Sequence, residues 1–210
     1  MVACGALVVA PGSDVYTPQD LAHKLVGLDY GNGTAYAGLQ MLEGAVPREA
    51  ITTCAASANA AERFAALQRG EFEATVLQEP YITVAAKAGC RLVSTTFFYG
   101  TWVGDPNLDP EAQAAFLRAI TRAVDRVNQD KRQYFRYFLQ DWAGRPEVDA
   151  LVCEDFDLGR IQLKRPGPIP ERDARRAWDW MVSWGVLEGS FDPARQLDNR
   201  VAAQVAARVL

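Results

Sequence analysis

Apolar and polar positions along residues 25–77 predict three strands separated by two helices. Leu25–Asp29 has the pattern of a buried strand, Ile51–Cys54 is a second strand candidate rich in β-branched residues, and Glu73–Leu77 is a third. Between them, Thr34–Glu43 and Ala58–Arg69 carry apolar residues at helical spacing, and a glycine follows each of these segments. Connections this short indicate parallel strands joined by right-handed crossovers.

More strands and helices are predicted on either side of this β-α-β-α-β unit. Ala6–Ala10 and Arg91–Phe98 have the pattern of strands. Further helices are predicted at Tyr81–Ala88, from Asp109 onwards, and at the aromatic stripes within 134–142 and 174–182. The fold class is therefore predicted as α/β, with a helix-rich C-terminal half that covers a sheet contributed from elsewhere in the chain.

Composition and charge exclude several classes of protein. The chain has 210 residues, of which 49% are apolar and 23% are charged, so we expect a packed core. Its formal net charge of −4 argues against nucleic acid as the main partner. No apolar stretch approaches the roughly 18 residues that span a bilayer, and the N-terminus has no basic n-region, so no signal peptide is expected in the chain as given.

The residues that usually bind metals or activate nucleophiles are few. The four cysteines are scattered without a C-x-x-C pair, and His23 is the single histidine. A His-rich metal site is thereby excluded, no metal or cofactor is expected, and buried free thiols are favoured. Cys54 ends a predicted strand and is the candidate nucleophile, although no basic residue lies beside it in sequence to lower its pKa.

Three loops converge at the carboxyl ends of the predicted parallel strands, where ligands bind in open α/β sheets. They are Asp29–Tyr36, Cys54–Asn59 and Gln78–Tyr81. In the first loop, Gly31–Thr34 leads directly into a helix whose unpaired N–H groups and dipole favour an anion or a polar acceptor. An ordinary strand-to-helix turn capped by Asn32 or Thr34 is the equal alternative.

Glu79 and several aromatic residues add to the candidate site. A carboxylate at the end of a buried strand can accept from a ligand amine, hydroxyl or amide, or it can be a solvated strand end or cap the helix after Pro80. Aromatic walls with polar tips suit an organic ligand, and such residues are also common in cores. The aromatic residues at this edge are Tyr30, Tyr36, Tyr81, Tyr99 and Trp102.

Four short segments resemble motifs of one protein family. Thr17–Leu21 followed by Leu25–Asp29 resembles its "adLkGkkVgv" entry, and Gly31–Tyr36 resembles its ligand-binding "GsgtaY" helix start. Ala65–Ala74 is similar to "aAL.sGevDA", and Gln78–Tyr81 is similar to "wEPy". The family comprises the solute-binding proteins of ABC importers of the nitrate, sulfonate, taurine and thiamine-precursor type. The resemblance covers residues 5–145.

The resemblance implies a periplasmic-binding-protein fold of type 2, in which two lobes close over a ligand. Residues 26–93 would form lobe two, and residues 1–25 and 94–210 would form a helix-rich lobe one. Lobe one would be incomplete, because the family carries a longer N-terminal part. The motifs, the convergent loops and the aromatic residues at this edge together give the expected ligand-binding residues: Asn32, Gly33, Thr34, Ala35, Tyr36, Ser57, Glu79 and Trp102.

The function implied is binding, not catalysis. The chain would bind a small organic or anionic solute in the inter-lobe cleft and deliver it to the membrane subunits of an ABC importer. Its location would be extracytoplasmic, periplasmic or lipid-anchored, and the incomplete lobe would favour a homo-oligomer. Two alternatives stay open: an enzyme on the same fold, similar to a pyrimidine-precursor synthase or a sulfinate desulfinase and dependent on Cys54 or His23, and a ligand-sensing effector domain.

Overall fold

The computed structural model describes residues 2–105 and 107–207, and its strands form one five-stranded sheet. In chain order the strands are β1 (Val2–Val9), β2 (Leu25–Leu28), β3 (Thr52–Ala55), β4 (Ala74–Leu77) and β5 (Arg91–Tyr99). The order across the sheet is β3-β2-β4-β1-β5. β2 is parallel to both β3 and β4, as predicted, whereas β1 runs antiparallel to β4 and to β5.

The predicted helices are present within a few residues of their expected ends. The helices are α1 (Gly33–Glu43), α2 (Ala60–Gln68), α3 (Tyr81–Lys87), α4 (Pro110–Gln129), α5 (Lys131–Asp141), α6 (Pro146–Asp149), α7 (Glu171–Ser183), α8 (Pro193–Gln196) and α9 (Arg200–Ala207). Side-chain caps begin several of them. The Asn59 side chain accepts from the backbone N–H of Ala61, and that of Asp109 accepts from the backbone N–H of Ala112.

The core lies where α1 and α3 pack against the central strands. Every residue of β4 is buried, and so are the first five residues of α3. Helix α1 approaches the sheet closely at Gly38, because a Cβ atom there would lie only 2.7 Å from Leu28 and 2.8 Å from Val76. This close packing holds the amino end of α1 beside the carboxyl ends of β2 and β4.

The described residues divide into two compact units. The sheet unit comprises Val2–Gly100 and Lys131–Gln162, and the helical unit comprises Thr101–Asp130 together with the chain from Leu163 onwards. These bounds differ from the predicted lobes, because β1 and β5 pair within the same sheet as β2–β4 and therefore place residues 2–25 and 94–100 in the sheet unit. The assignment of two functional lobes stays a prediction. No helix among the described residues is both long and apolar enough to cross a membrane.

Candidate functional site

A cavity of about 290 Å³ opens in the sheet unit at the carboxyl ends of the parallel strands. Its walls come from the loops after β2, β3 and β4, which are the loops predicted to converge, and from a fourth segment between α5 and α6. The lining residues are Asn32, Thr34, Ala58, Asn59, Ala60, Arg63, Gln78, Glu79, Tyr81, Trp142 and Arg145. The structure therefore brings Asn32, Thr34 and Glu79 together, as predicted from topology. Ligand contact by these residues stays a prediction.

The amino end of α1 is organised by the side chain of Asn32. Its Oδ1 atom accepts from the Thr34 backbone N–H at 2.7 Å and from the Thr34 hydroxyl at 2.5 Å. Its amide group donates to the Asp29 carboxylate, which also accepts from the backbone N–H of Gly31 at 3.0 Å. The ordinary cap that the sequence left open is thus present, and the capped turn also borders the cavity.

The lack of a side chain at Gly33 is required by the packing of β5. A Cβ atom at this position would overlap the ring of Phe98, with the ring Cζ at 3.1 Å, so the absent side chain makes room for β5. Ala35 is buried in the core at 1% exposure. Gly33, Ala35 and Tyr36 are not among the described residues that line the cavity.

Ser57 and Trp102 also lie outside this cavity lining. The Ser57 hydroxyl donates to Glu62 at 2.6 Å and borders a second cavity, of about 410 Å³, between the end of β3 and α2. Trp102 belongs to the helical unit, where its ring packs edge-on against Phe116 with centroids 5.3 Å apart. A role for either residue in binding stays a prediction that this cavity does not support.

The Glu79 carboxylate is buried, and each of its two oxygens faces another group of the protein. Its Oε2 atom accepts from the backbone N–H of Thr83 at 3.1 Å and from the Thr83 hydroxyl at 2.8 Å, so the carboxylate stabilises the start of α3. Its Oε1 atom lies 3.2 Å from Nη1 of Arg160. Burial raises the pKa of Glu79, while Thr83 and Arg160 act in the opposite direction. Glu79 therefore caps α3, which is one of the roles that the sequence left open, and it also borders the cavity.

Arg63 is a cavity residue that the sequence reasoning missed. It is 2% exposed, its Nε atom donates to the carbonyl oxygen of Val76 at 3.2 Å, and its Nη1 atom donates to the carbonyl oxygen of Ser57. Burial lowers the pKa of the guanidinium, and Asp29 opposes that shift. The available signal was helical spacing, since Arg63 shares the apolar face of α2 with Leu67 four residues later.

A second missed group contributes an arginine and two aromatic rings. Arg145 lies over the ring of Trp142, with its guanidinium carbon 4.6 Å from the ring centroid. The Trp142 ring packs edge-on against Tyr81, whose hydroxyl donates to Glu147 at 2.7 Å. Burial and this hydrogen bond raise the pKa of Tyr81 to about 12, so the phenol remains a neutral donor. Only the tertiary structure brings α5 and α6 to the loops of the sheet.

The groups that a nucleophilic mechanism would need lie elsewhere. Cys54 borders the second cavity, and burial raises its thiol pKa, which is opposite to the shift that activates a nucleophile. His23 precedes β2 and therefore lies at the opposite end of that strand from the cavity; its backbone N–H donates to Ala50. Within the described ranges, no group of three or more histidine, cysteine or acidic residues is arranged to hold a metal ion.

The fold is that of the type 2 periplasmic binding proteins. Aliphatic sulphonate binding protein SsuA of Escherichia coli superimposes with a TM-score of 0.64 over 93% of this chain, at 18% identity. The alkanesulfonate-binding protein SsuA of Xanthomonas axonopodis pv. citri, bound to MOPS, gives 0.61 over 88%, at 16% identity. A cysteine-to-serine mutant of DSZB in complex with biphenyl-2-sulfinic acid gives 0.58 over 99%, at 14% identity.

This likeness establishes the fold and leaves the ligand to be argued from the site. The chain spans 71% and 66% of the two SsuA chains and 78% of the DSZB chain. No protein-family model matches the chain, and no curated protein matches it. Sequence identities below one fifth do not transfer individual ligand contacts, because fold does not imply function.

Proposed function

We propose that the cavity at the carboxyl ends of β2 and β4 binds a small organic anion and that the chain is the solute-binding component of an ABC importer. The observation that carries this proposal is that Arg63 and Arg145 line one cavity together with the capped amino end of α1. Two guanidinium groups and a helix dipole favour a negatively charged group in such an enclosure.

The remaining walls suit the organic part of such a solute. The rings of Tyr81 and Trp142 supply apolar surface, and the volume of about 290 Å³ matches a ligand of few non-hydrogen atoms. Asn32 and Thr34 are proposed as polar contacts, because their side chains are built into the same lining. Glu79 lies in that lining too, but its two oxygens already face Thr83 and Arg160, so we propose that it acts on a solute through its charge.

The structural neighbours support a sulfonate as the first solute class to test. Both SsuA proteins are sulfonate-binding proteins, and one of them is bound to MOPS. In the proposed mechanism the two lobes close over the solute, and the membrane subunits of the importer recognise the closed form. An extracytoplasmic location and a homo-oligomer belong to the same proposal.

The test compares anion binding by the wild-type chain with binding by two arginine variants. Methanesulfonate, MOPS and nitrate are titrated calorimetrically, with glycerol as an uncharged control. We expect sulfonate binding by the wild type and about tenfold weaker binding by Arg145→Gln, because one opposite charge near the anion is lost. Arg69→Gln is the matched control, since Arg69 is exposed and ion-paired with Glu71. Equal affinities for the two variants would contradict this site.

The likeness to DSZB motivates one check of the enzyme alternative. Because Cys54 borders the other cavity and its thiol pKa is raised, Cys54→Ala is expected to leave the sulfonate affinity unchanged. Incubation of the wild-type chain with biphenyl-2-sulfinate is expected to release no sulfite. Sulfite release that Cys54→Ala abolishes would replace the binding function by an enzymatic one.

A further inference from the structure

A buried ion pair joins Glu79, which lines the cavity, to Arg160, which does not. The Glu79 side chain is 6% exposed and the Arg160 side chain is 18% exposed. The facing atoms, Oε1 of Glu79 and Nη1 of Arg160, are 3.2 Å apart, and neither atom has a hydrogen-bond partner among the described residues. The contact is therefore one of charge, and the orientation of the carboxylate comes from its two bonds to Thr83.

The position of this pair matters for the net charge that a solute meets. Glu79 is the acidic side chain in the described lining, which also contains the two arginines, whereas Arg160 is not part of that lining. A carboxylate without a counter-charge would cancel much of the attraction of Arg63 and Arg145 for an anion. Arg160, 3.2 Å from Glu79, supplies that counter-charge. Its Nε atom also lies 3.4 Å from the carboxylate of Asp157, but the Asp157 side chain is 60% exposed, so its charge is screened by solvent.

We propose that Arg160 is a specificity-determining positioning residue, which neutralises Glu79 so that the cavity presents the charge of its two arginines to an anionic solute. This inference rests on the proposed function for its role in binding. Arg160 acts through Glu79 and does not touch the solute. The segment 157–160, which lies outside every helix and strand, thereby sets the charge selectivity of a site formed by the strand ends.

The first experiment needs no ligand and measures the urea midpoint of unfolding between pH 5 and pH 8. The groups that act electrostatically on Glu79 are Arg160, Asp157 and the thiol of Cys4. Burial raises the pKa of the Cys4 thiol above its ordinary value of 9.0, so this thiol stays neutral across the range. Removing Arg160 raises the pKa of Glu79 further, and stability conferred by its protonated form is lost as the pH rises through that higher value.

Arg160→Met is therefore expected to lose stability more steeply than the wild type between pH 5 and pH 8. The double variant Glu79→Gln/Arg160→Met should lose this additional slope, and Arg160→Lys, which keeps the charge, should resemble the wild type. Lys87→Met is the control, because it breaks the exposed pair with Asp155. If the stability of Arg160→Met changed with pH as it does in the wild type, the inference would be overturned. A purely structural role of Arg160 also predicts that the pH slope does not depend on Glu79.

The second experiment measures the affinity for methanesulfonate, which has no N–H or O–H group for Glu79. At pH 8 we expect Arg160→Met to bind methanesulfonate about tenfold more weakly than the wild type, which is the effect of one charge at roughly 8 Å in a medium of effective dielectric about 30. The double variant, which lacks both charges of the pair, should bind like the wild type. Unchanged binding in Arg160→Met would overturn the selectivity role and leave the proposed function standing. If the wild type binds no sulfonate while the pH slopes appear as expected, the proposed function fails and the neutralisation of Glu79 stands.

Discussion

At the scale of single residues, Asn32 joins the local structure to the site. Its side chain closes the first turn of α1 by accepting two hydrogen bonds from Thr34, and it also borders the cavity. Asn32→Ala is expected to lower the free energy of unfolding by about 1 kcal/mol, the usual effect of losing a helix N-cap. Urea denaturation checks this value.

Asn32→Ser is the matched variant for this prediction, because serine can cap the same helix. We expect it to recover most of the lost stability. Equal destabilisation by the alanine and serine variants would show that the contact with Asp29, and not the cap, is the important one.

At the scale of elements, the approach of α1 to the sheet depends on Gly38. A methyl group there would lie 2.8 Å from a γ-methyl of Val76, which is anchored on the buried strand β4 and has little freedom to move. Overpacking of about 1–3 kcal/mol should outweigh the roughly 1 kcal/mol that alanine gains over glycine in a helix. Gly38→Ala is therefore expected to be destabilised in urea, and to weaken sulfonate binding because the amino end of α1 shifts.

Gln40→Ala provides the control in the same helix, since Gln40 is exposed. Its free energy of unfolding should stay within about 0.5 kcal/mol of the wild type. If Gly38→Ala proves as stable as this control, the helix is not seated on the sheet as closely as the structure shows.

At the scale of the whole molecule, residues far apart in sequence should respond together to a ligand. Hydrogen exchange with and without methanesulfonate is expected to slow at 30–34, 58–63, 78–81 and 142–145, because the cavity walls come from these segments. Sodium chloride at equal ionic strength is the control for general salt effects. Protection confined to residues 54–57 and 66–72 would place the ligand in the second cavity instead.

Much of the fold could be predicted from periodicity, because the relevant signals are local. All five strands and the longer helices follow from apolar spacing, caps and closing glycines within short windows. The antiparallel position of β1 between β4 and β5 could not be predicted in this way, since this strand pairing depends on contacts between residues 65 to 97 positions apart. The division into units followed that pairing and therefore differed from the predicted lobes.

The sequence by itself determined the α/β pattern, the three convergent loops, and the meeting of Asn32, Thr34 and Glu79, because parallel strands place their carboxyl ends at one edge. Only the tertiary structure decided which charges accompany them. Arg63, Arg145 and Arg160 are surrounded in sequence by residues with no sign of a site. Packing brings them to the cavity and its Glu79: Arg63 is buried, Arg160 lies 3.2 Å from Glu79, and the exposed Arg145 lies over the ring of Trp142.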